Sequence, residues 1–531
     1  MKNPLLILVL FAQILGLSAQ NTPPSCVITF PHCNAYFEQG TDVTIRVYST
    51  DIGGSYANGS VKKVEFFSDT IKLAETSEAT SNTYSFVWEN VPAGTYRLTA
   101  RATDNLDSTF TSAGVIITVG TNAVKAVGMS AGKGKYIANI ISGNVRSDFN
   151  KYWNGVTAEN SCKWGSVEAT RDKMNWTGAD LAYNHAKKNN LSFRYHAIAW
   201  GSQYPKWIET LTPEEFKAEM EEYMDTVASR YPYIDQIDVL NENMHLNTWN
   251  KQEHAAGSPY FRAGMGGPGA TGYDWAIWLF EKARQYFPNA KLMINDFELE
   301  TNGAGLNEIL ALVKVLRDRG LIDGFGTQAH HFNLDGISSS TLQNALNNMA
   351  KSGVPVYVTE LDMKGKTVSE AGQLASYKTA FPVYWNHPAV AGITLWGYVE
   401  GATWATGTGI LNSNGTERAA MTWLKEFVSE LPTVGYPFGI DTTTTNVGEI
   451  EKLQSISVYP NPVVEGKITV ENHSQKLVKS VQIIDLQGRI IKTVSTNSIK
   501  SEISIGDQLK GMYYLRIETD NSVETRKIII L

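Results

Sequence analysis

Residues 234–242 (IDQIDVLNE) form an apolar run that ends in Glu242, and residues 355–362 (PVYVTELD) form a second run that delivers Glu360. Apolar strands rarely end in acids. A carboxylate in that place must be solvated at a sheet edge or held in a polar site, because burying it unpaired costs free energy. Two such strand ends predict a functional site. Paired carboxylates across one cleft are the groups that carry out glycoside hydrolysis.

The region around these two runs, about residues 124–432, alternates short apolar runs with amphipathic segments. Eight runs are predicted strands: 126–132, 155–159, 192–200, 234–242, 291–297, 323–330, 355–362 and 392–398. Helical patterns occur at 179–190, 212–231, 273–287, 307–320, 339–352, 369–385 and 417–430. The helix at 212–231 opens with a capping box, Thr212 to Glu215. Eight such units predict a (β/α)8 TIM barrel, whose active site lies at the C-terminal strand ends.

Residues 25–120 show alternation of period two, as in Tyr84, Phe86 and Trp88, with turn residues between the runs. This pattern predicts a small antiparallel β-sandwich. The stretch YSFVWENVPAGTYRLTARATD resembles the Ig-like modules of bacterial secreted enzymes. A spacer role is expected for it, and sugar binding through Trp88 is the alternative.

A linker is expected at 433–453, followed by a small β-sandwich at 454–531. The segment VYPNP and the terminal segments LKGMYYLRIETD and ETRKIIIL resemble the C-terminal sorting domain of the type IX secretion system. An ordinary accessory sandwich is the alternative. The resemblance implies a partner in the secretion machinery and a protein that is secreted or held on the outer-membrane cell surface of a bacterium.

Composition excludes several classes of partner. The chain has 531 residues and a formal net charge of −7, so it has no basic footprint for nucleic acid. Residues 1–19 have the charge, apolar run and small-residue end of a signal peptide, with a membrane anchor as the alternative. Elsewhere no segment is long and apolar enough to predict a transmembrane span in the mature chain.

Three cysteines are present. Cys26 and Cys33 are close enough in sequence to form a small disulfide loop, and two free thiols are an equally good expectation. Cys162 then has no partner and is expected to be a buried apolar residue rather than a nucleophile.

Seven segments of the predicted barrel occur in the order found in one family: VTAENSCKW, RYHAIAWGSQ, IDVLNE, MINDF, IDGFGTQAH, VTELD and ITLWG. Together they resemble the xylanases of glycoside hydrolase family 10, over about residues 124–430. The resemblance implies an endo-β-1,4-xylanase that acts on xylan or a related plant cell-wall polysaccharide. It implies no metal and no organic cofactor.

The resemblance also implies roles for individual residues. Glu242 matches the family's acid/base and Glu360 its nucleophile, while Asn241, His330 and Asp362 match supporting positions. A hydrogen-bond donor keeps a nucleophilic carboxylate ionised, whereas an acid/base needs a raised pKa. Retention of configuration is expected, with the two carboxyl groups about 5–5.5 Å apart.

Further positions match the family's sugar-binding set. Those with polar or indole side chains near the strand ends are Glu159, Asn160, Lys163, His196, Trp200, Gln203 and Gln328, and the aromatic wall matches Trp396 and Trp404. Taken singly, some have simpler interpretations. By itself, His196 would be interpreted as a core histidine with hydrogen-bond partners, and Lys163 as a surface lysine. Asn295 and Asp296 read as the end of the fifth strand.

Departures from the family pattern leave the substrate open. Gly201 replaces a histidine, Glu400 stands where aspartate is more usual, and the loop 243–272 is rich in glycine. A related retaining endo-glycanase acting on another matrix β-glycan is one alternative, and a non-catalytic surface glycan-binding protein is another. No HExxH or similar metal-ligand spacing occurs, and the adjacent His330 and His331 would point to opposite faces of a strand.

Overall fold

The computed structural model describes residues 21–51, 59–121, 127–242, 259–432, 456–459, 463, 466–472, 476–485, 490–505, 511–519 and 523–530. The expected signal peptide and the expected linker lie outside these residues. Contacts divide the chain into two compact units, residues 1–440 and residues 441–531.

The N-terminal part of the first unit is a β-sandwich, as predicted. Its strands are β1 Val27–Phe30, β2 Ala35–Glu38, β3 Val43–Tyr48, β4 Val61–Ser68, β5 Ile71–Thr76, β6 Thr83–Trp88, β7 Gly94–Asp104, β8 Thr109–Thr111 and β9 Val115–Gly120. One sheet has the order β1-β3-β6 and the other β2-β9-β7-β4-β5, with β8 on β7. The sheets are antiparallel except for the parallel pair β2–β9, a departure from the wholly antiparallel prediction.

The alternating side chains predicted for the sandwich form its core. Phe66, Leu98 and Ile117 are fully buried there, and Trp88 packs against this core with its ring edge-to-face on Tyr96 at 4.9 Å. All three cysteines are buried free thiols. The disulfide between Cys26 and Cys33, one of the two expectations, is therefore absent from the structure.

Eight parallel strands close the predicted barrel. They are β10 Tyr136–Ile141, β11 Gly155–Ala158, β12 Ser192–Trp200, β13 Gln236–Asn241, β14 Lys291–Asp296, β15 Gly324–Thr327, β16 Val356–Leu361 and β17 Val390–Leu395. Each strand pairs with the next, and β17 pairs with β10. The first strand was predicted at 126–132, which is wrong. The described part of that segment is a glycine-containing turn, and the buried run YIANII forms the strand instead.

The helices surround the barrel. They are α1 Phe149–Tyr152, α2 Trp164–Val167, α3 Thr177–Lys188, α4 Pro213–Arg230, α5 Pro259–Gly264, α6 Asp274–Tyr286, α7 Gly303–Arg317, α8 His331–Leu334, α9 Ser339–Met349, α10 Glu370–Asn386 and α11 Ala419–Glu430, with 3-10 segments at Lys206–Thr210 and Ala350–Ser352. The capping box of α4 is formed. Thr212 N donates to Glu215 Oε2 at 2.8 Å, and Glu215 N donates to Thr212 Oγ1 at 3.2 Å.

The sandwich packs on the N-terminal end of the barrel. Cys33 N donates to Asp235 Oδ1 at 2.8 Å, and Asp235 directly precedes β13. Asn190, which precedes β12, accepts from Tyr36 N at 2.8 Å and donates to Tyr36 O at 2.9 Å. These contacts lie at the end of the barrel opposite to the strand ends that carry the two glutamates.

The second unit is all β. Its strands are β18 Ile456–Tyr459, β19 Lys467–Asn472, β20 Val478–Ile484, β21 Ile490–Ser498, β22 Lys500–Ser504, β23 Gly511–Thr519 and β24 Val523–Ile530. They form a sheet of order β18-β19-β22 and a sheet of order β21-β20-β23-β24 around an aliphatic core that includes Ile468, Val481 and Leu515. Across the described parts of both units, no helix combines the length and the apolar character needed to cross a bilayer.

Candidate active site

The two strand-end glutamates line one cleft at the C-terminal end of the barrel. Glu360 lies within β16, and Glu242 directly follows β13 with a left-handed backbone, φ 59°. Neighbouring strands hold both backbones, since Glu242 N donates to Asn295 O at 2.8 Å and Glu360 N donates to Gln328 O at 3.0 Å. The barrel thus brings together two acids that are far apart in sequence.

Glu242 is held by two neutral donors. Trp200 Nε1 donates to Oε2 at 2.8 Å and Gln328 Nε2 donates to Oε1 at 3.0 Å. Burial raises the pKa of Glu242 to about 7, and the negative charges of Asp296 and Glu360 act in the same direction. The Glu242 carboxyl therefore holds a proton near neutral pH, as a general acid requires.

Glu360 has the opposite electrostatic environment. Burial alone would raise the pKa of this 4% exposed carboxyl, but the positive charges of His196, His330 and Arg194 and the hydrogen bond from His330 outweigh burial and lower the pKa to about 2. His330 Nε2 lies 3.5 Å from Glu360 Oε2. Between about pH 2 and pH 7, Glu360 is therefore ionised while Glu242 is protonated.

Asp362, which lies behind Glu360, forms hydrogen bonds with three neighbouring residues. Its Oδ2 lies 2.9 Å from His330 Nδ1 and accepts from Trp404 Nε1 at 2.6 Å. Its Oδ1 accepts from His331 N at 2.7 Å and lies 3.1 Å from His331 Nδ1. The expectation that the two histidines point to opposite faces is wrong, because β15 ends at Thr327 and the chain turns into α8 at this point.

Asn295, for which the end of the fifth strand was the simpler interpretation, is a residue of the site. Its Nδ2 donates to Glu360 Oε1 at 2.8 Å and to Asn241 Oδ1 at 2.9 Å. Thr359 Oγ1 donates to Asn295 Oδ1 at 2.6 Å and so sets the orientation of the amide. The motif MINDF had suggested only a strand end here. An amide near the end of the barrel strand next to β13, the strand that leads to Glu242, is the signal that would have found it.

Beneath the two glutamates lies a buried charged layer. Arg194 NH1 donates to Asp238 Oδ2 at 2.7 Å, and His196 Nδ1 lies 2.7 Å from the same oxygen. His196 is 1% exposed, and its ring lies edge-to-face on Trp396 at 5.3 Å. This histidine has the buried partner expected of a core residue and also reaches the floor of the cleft.

All nine positions that match the family's sugar-binding set line this cleft: Glu159, Asn160, Lys163, His196, Trp200, Gln203, Gln328, Trp396 and Trp404. Lys163 is buried rather than a surface lysine. Its Nζ donates to Asn160 Oδ1 at 2.9 Å and lies 4.6 Å from the centre of the Trp200 ring. Burial lowers the pKa of Lys163, and the negative charges of the nearby glutamates oppose that shift.

Two aromatic residues of the cleft went unpredicted. Phe297 and Phe332 line it, with their rings edge-to-face at 6.0 Å, and Phe332 is 49% exposed. Phe297 directly follows β14, so an aromatic residue just after a strand was the available signal for it, whereas Phe332 lies in α8. Of the three departures noted above, Gly201 is buried and directly follows the cleft residue Trp200, whereas Glu400 binds backbone amides of its own loop. Residues 243–258 of the glycine-rich loop lie outside the described residues.

Among the described residues, one group of three acids is close enough to hold a metal ion: Glu168, Asp172 and Glu219. Glu168 accepts from Trp164 Nε1 at 2.8 Å and from the backbone of Asp172, and Glu219 forms an ion pair with Arg171. These partners satisfy the carboxylates of Glu168 and Glu219, and the group lies outside the residues that line the cleft.

Comparison with known families covers most of the chain. The model of glycosyl hydrolase family 10 matches residues 119–427. A bacterial Ig domain matches residues 24–100, and a secretion system C-terminal sorting domain matches residues 457–531. A sorting domain of this kind marks a secreted or cell-surface bacterial protein.

Similar proteins include endo-1,4-beta-xylanase B of Cellvibrio japonicus (strain Ueda107), which is 40% identical over 292 residues, 55% of this chain and 45% of that protein. Endo-1,4-beta-xylanase C of Paenibacillus barcinonensis is 30% identical over 280 residues, 48% of this chain and 26% of that protein. The chain thus spans less than half the length of these two curated relatives. A solved structure, described as GH10 from Paenibacillus barcinonensis, shares the fold with a TM-score of 0.50 and 23% identity, covering 59% of this chain and 100% of that one.

Proposed function

Because the chain belongs to glycosyl hydrolase family 10, we propose that it is a secreted endo-β-1,4-xylanase that hydrolyses internal xylan linkages with retention of configuration. One observation carries the proposal. Glu242 and Glu360 line the same cleft, with a pKa of about 7 for the first and about 2 for the second. Two carboxyls whose pKa values are driven apart are suited to the roles of acid and nucleophile.

In the first step, Glu360 attacks the anomeric carbon while Glu242 gives its proton to the leaving glycosidic oxygen. The bond from the anomeric carbon to that oxygen breaks, and an ester bond to Glu360 forms. In the second step, the Glu242 carboxylate removes a proton from water. The water oxygen displaces Glu360 from the anomeric carbon, which releases the sugar with its original configuration. Retention is characteristic of the family.

Asn241 is suited to hold the reacting sugar. The side chain is buried, and Asn295 fixes its Oδ1, whereas its Nδ2 has no hydrogen-bond partner among the described residues. An unpaired buried donor is costly, so a ligand atom is expected to accept from it. The 2-hydroxyl of the sugar bound at Glu360 is that acceptor in the proposed mechanism.

The substrate proposed is xylan or a related plant cell-wall polysaccharide. Indole faces at Trp396 and Trp404 can cover the apolar faces of pyranose rings, while Glu159, Asn160 and Lys163 offer polar groups to their hydroxyls. The C-terminal unit would bind the secretion machinery as its partner during export.

Product release from soluble xylan and from mixed-linkage β-glucan tests the proposal. The purified protein is compared with Glu360→Ala and with Glu430→Ala, which changes an exposed glutamate at the end of α11. We expect short xylo-oligosaccharides from the parent and from Glu430→Ala, and none from Glu360→Ala. The first product seen by NMR should be the β-anomer. Product release from β-glucan alone would show that the substrate is a glucan and not xylan. Retained sugar affinity with no turnover by the parent would mean a glycan-binding protein.

A further inference from the structure

Trp404 forms part of the cleft wall and also donates a hydrogen bond to Asp362, which lies behind the proposed nucleophile Glu360. Its side chain is 51% exposed, yet its Nε1 donates to Asp362 Oδ2 at 2.6 Å. The same oxygen lies 2.9 Å from His330 Nδ1, and His330 in turn faces Glu360. The position of one surface indole is therefore coupled to the groups around Glu360.

A buried amide holds the loop that carries Trp404, residues 400–409. Gln373 on α10 is fully buried, and its Nε2 donates to Gly407 O at 3.1 Å and to Gly409 O at 2.9 Å. The same nitrogen donates to Met363 O at 3.0 Å. Because Met363 directly follows Asp362, one amide connects the loop to the segment that bears Asp362.

Glu400 binds the backbone N–H groups of the same two glycines whose carbonyl groups bind Gln373. Its Oε1 accepts from Gly407 N at 2.9 Å and its Oε2 accepts from Gly409 N at 3.2 Å. Arg418 NH1 lies 3.3 Å from Glu400 Oε2 and donates to Gly409 O at 2.6 Å. The approach is close, since a Cβ on Gly409 would lie 2.2 Å from Glu400 N.

We propose that Gln373 and Glu400 are positioning residues for the nucleophile. They hold the loop 400–409 so that the Trp404 indole reaches Asp362, which in turn orients His330 against Glu360. The inference rests on the proposed function, because it assigns to these two residues an effect on the reaction at Glu360. It gives Glu400, a departure from the family pattern, a defined task away from the sugar.

Trp404→Phe separates this role from that of a sugar wall, because phenylalanine keeps a flat face and lacks the N–H. We expect kcat/KM for aryl β-xylobiosides to fall about tenfold for good and poor leaving groups alike, since both need the nucleophile. The inhibition constant of xylobiose should stay unchanged. Weaker xylobiose binding by the same factor would overturn the inference, as would a loss confined to poor leaving groups.

Gln373→Met and Glu400→Gln test the hydrogen bonds that hold the loop 400–409. Each should lower kcat/KM several-fold in the parent and cause no further loss in Trp404→Phe, because the three changes act through one hydrogen bond. Full additivity would contradict the inference. Matched controls are Gln343→Met on α9 and Trp423→Phe on α11, neither of which lines the cleft, and thermal unfolding checks that every variant is folded.

A readout without turnover keeps the two proposals separate. In protein labelled with [15N]tryptophan, the Trp404 Nε1–H resonance is assigned by its loss in Trp404→Phe. It should move in Glu400→Gln and Gln373→Met and stay in place in Gln343→Met. An unmoved resonance overturns the inference whatever the activity. Absence of turnover by the parent contradicts only the proposed function.

Discussion

The side-chain amide nitrogen of Asn295 donates a hydrogen bond to Glu360 Oε1 at 2.8 Å. The same nitrogen donates to Asn241 Oδ1, so an amide on β14 connects a carboxylate on β16 with an amide on β13. Asn295 is completely buried. One side chain thereby sets the distance between the proposed nucleophile and the proposed ligand of the sugar 2-hydroxyl.

Asn295→Ala is therefore expected to reduce kcat/KM on xylan by roughly 10- to 100-fold, since a hydrogen bond to a charged group contributes about 1.5–3 kcal/mol. Steady-state kinetics measure this. Asn344→Ala, at an exposed position of α9, is the control and should match the parent. A parent-like Asn295→Ala would show that the amide does not position Glu360.

The pH profile should reflect the proton on Glu242. With its pKa at about 7, the acid is protonated below that pH and loses its proton above it, so kcat/KM should fall as pH rises through about 7. Glu360, with a pKa of about 2, stays ionised throughout. Glu242→Gln should remove this alkaline limb for an aryl xylobioside with a good leaving group. A limb that persists in the variant would assign it to another residue.

Glu242 should also cost stability when it is ionised. Its pKa is higher in the folded chain than the ordinary glutamate value of 4.5, so the folded state binds more protons and stability falls as pH rises between about 4.5 and 7. Glu242→Gln is expected to unfold at a higher temperature than the parent at pH 8 and to lose this advantage near pH 4. Scanning calorimetry at both pH values measures the difference. An equal difference at the two values would contradict the prediction.

The contact between the sandwich and the barrel can be tested separately from catalysis. Asn190→Ala removes both hydrogen bonds to the Tyr36 backbone and should lower the free energy of unfolding by about 1–3 kcal/mol. The kcat on xylan should stay unchanged, because the cleft lies at the other end of the barrel. Urea unfolding followed by tryptophan fluorescence provides the measurement. Unchanged stability would show that these two hydrogen bonds do not help to hold the sandwich on the barrel.

Local periodicity was enough for most of the fold. Strand runs and helical patterns predicted seven of the eight barrel strands near their observed places, because alternation and helix capping are properties of neighbouring residues. The first barrel strand was misplaced since two apolar runs lie close together before residue 142, and only the closure of β10 on β17 selects the second.

The sequence by itself determined the barrel, the flanking sandwiches and the identity of the two strand-end glutamates, because those follow from local patterns and the order of motifs. Only the tertiary structure decided the electrostatic contrast between Glu242 and Glu360. Their donors, Trp200, Gln328 and Asn295, come from other strand ends and loops, and pKa depends on burial and on distances across the barrel. The hydrogen bonds that hold the Trp404 loop were likewise decided only by the tertiary structure, since Gln373 reaches this loop from α10. Contacts between residues far apart in sequence exist only once the barrel has closed.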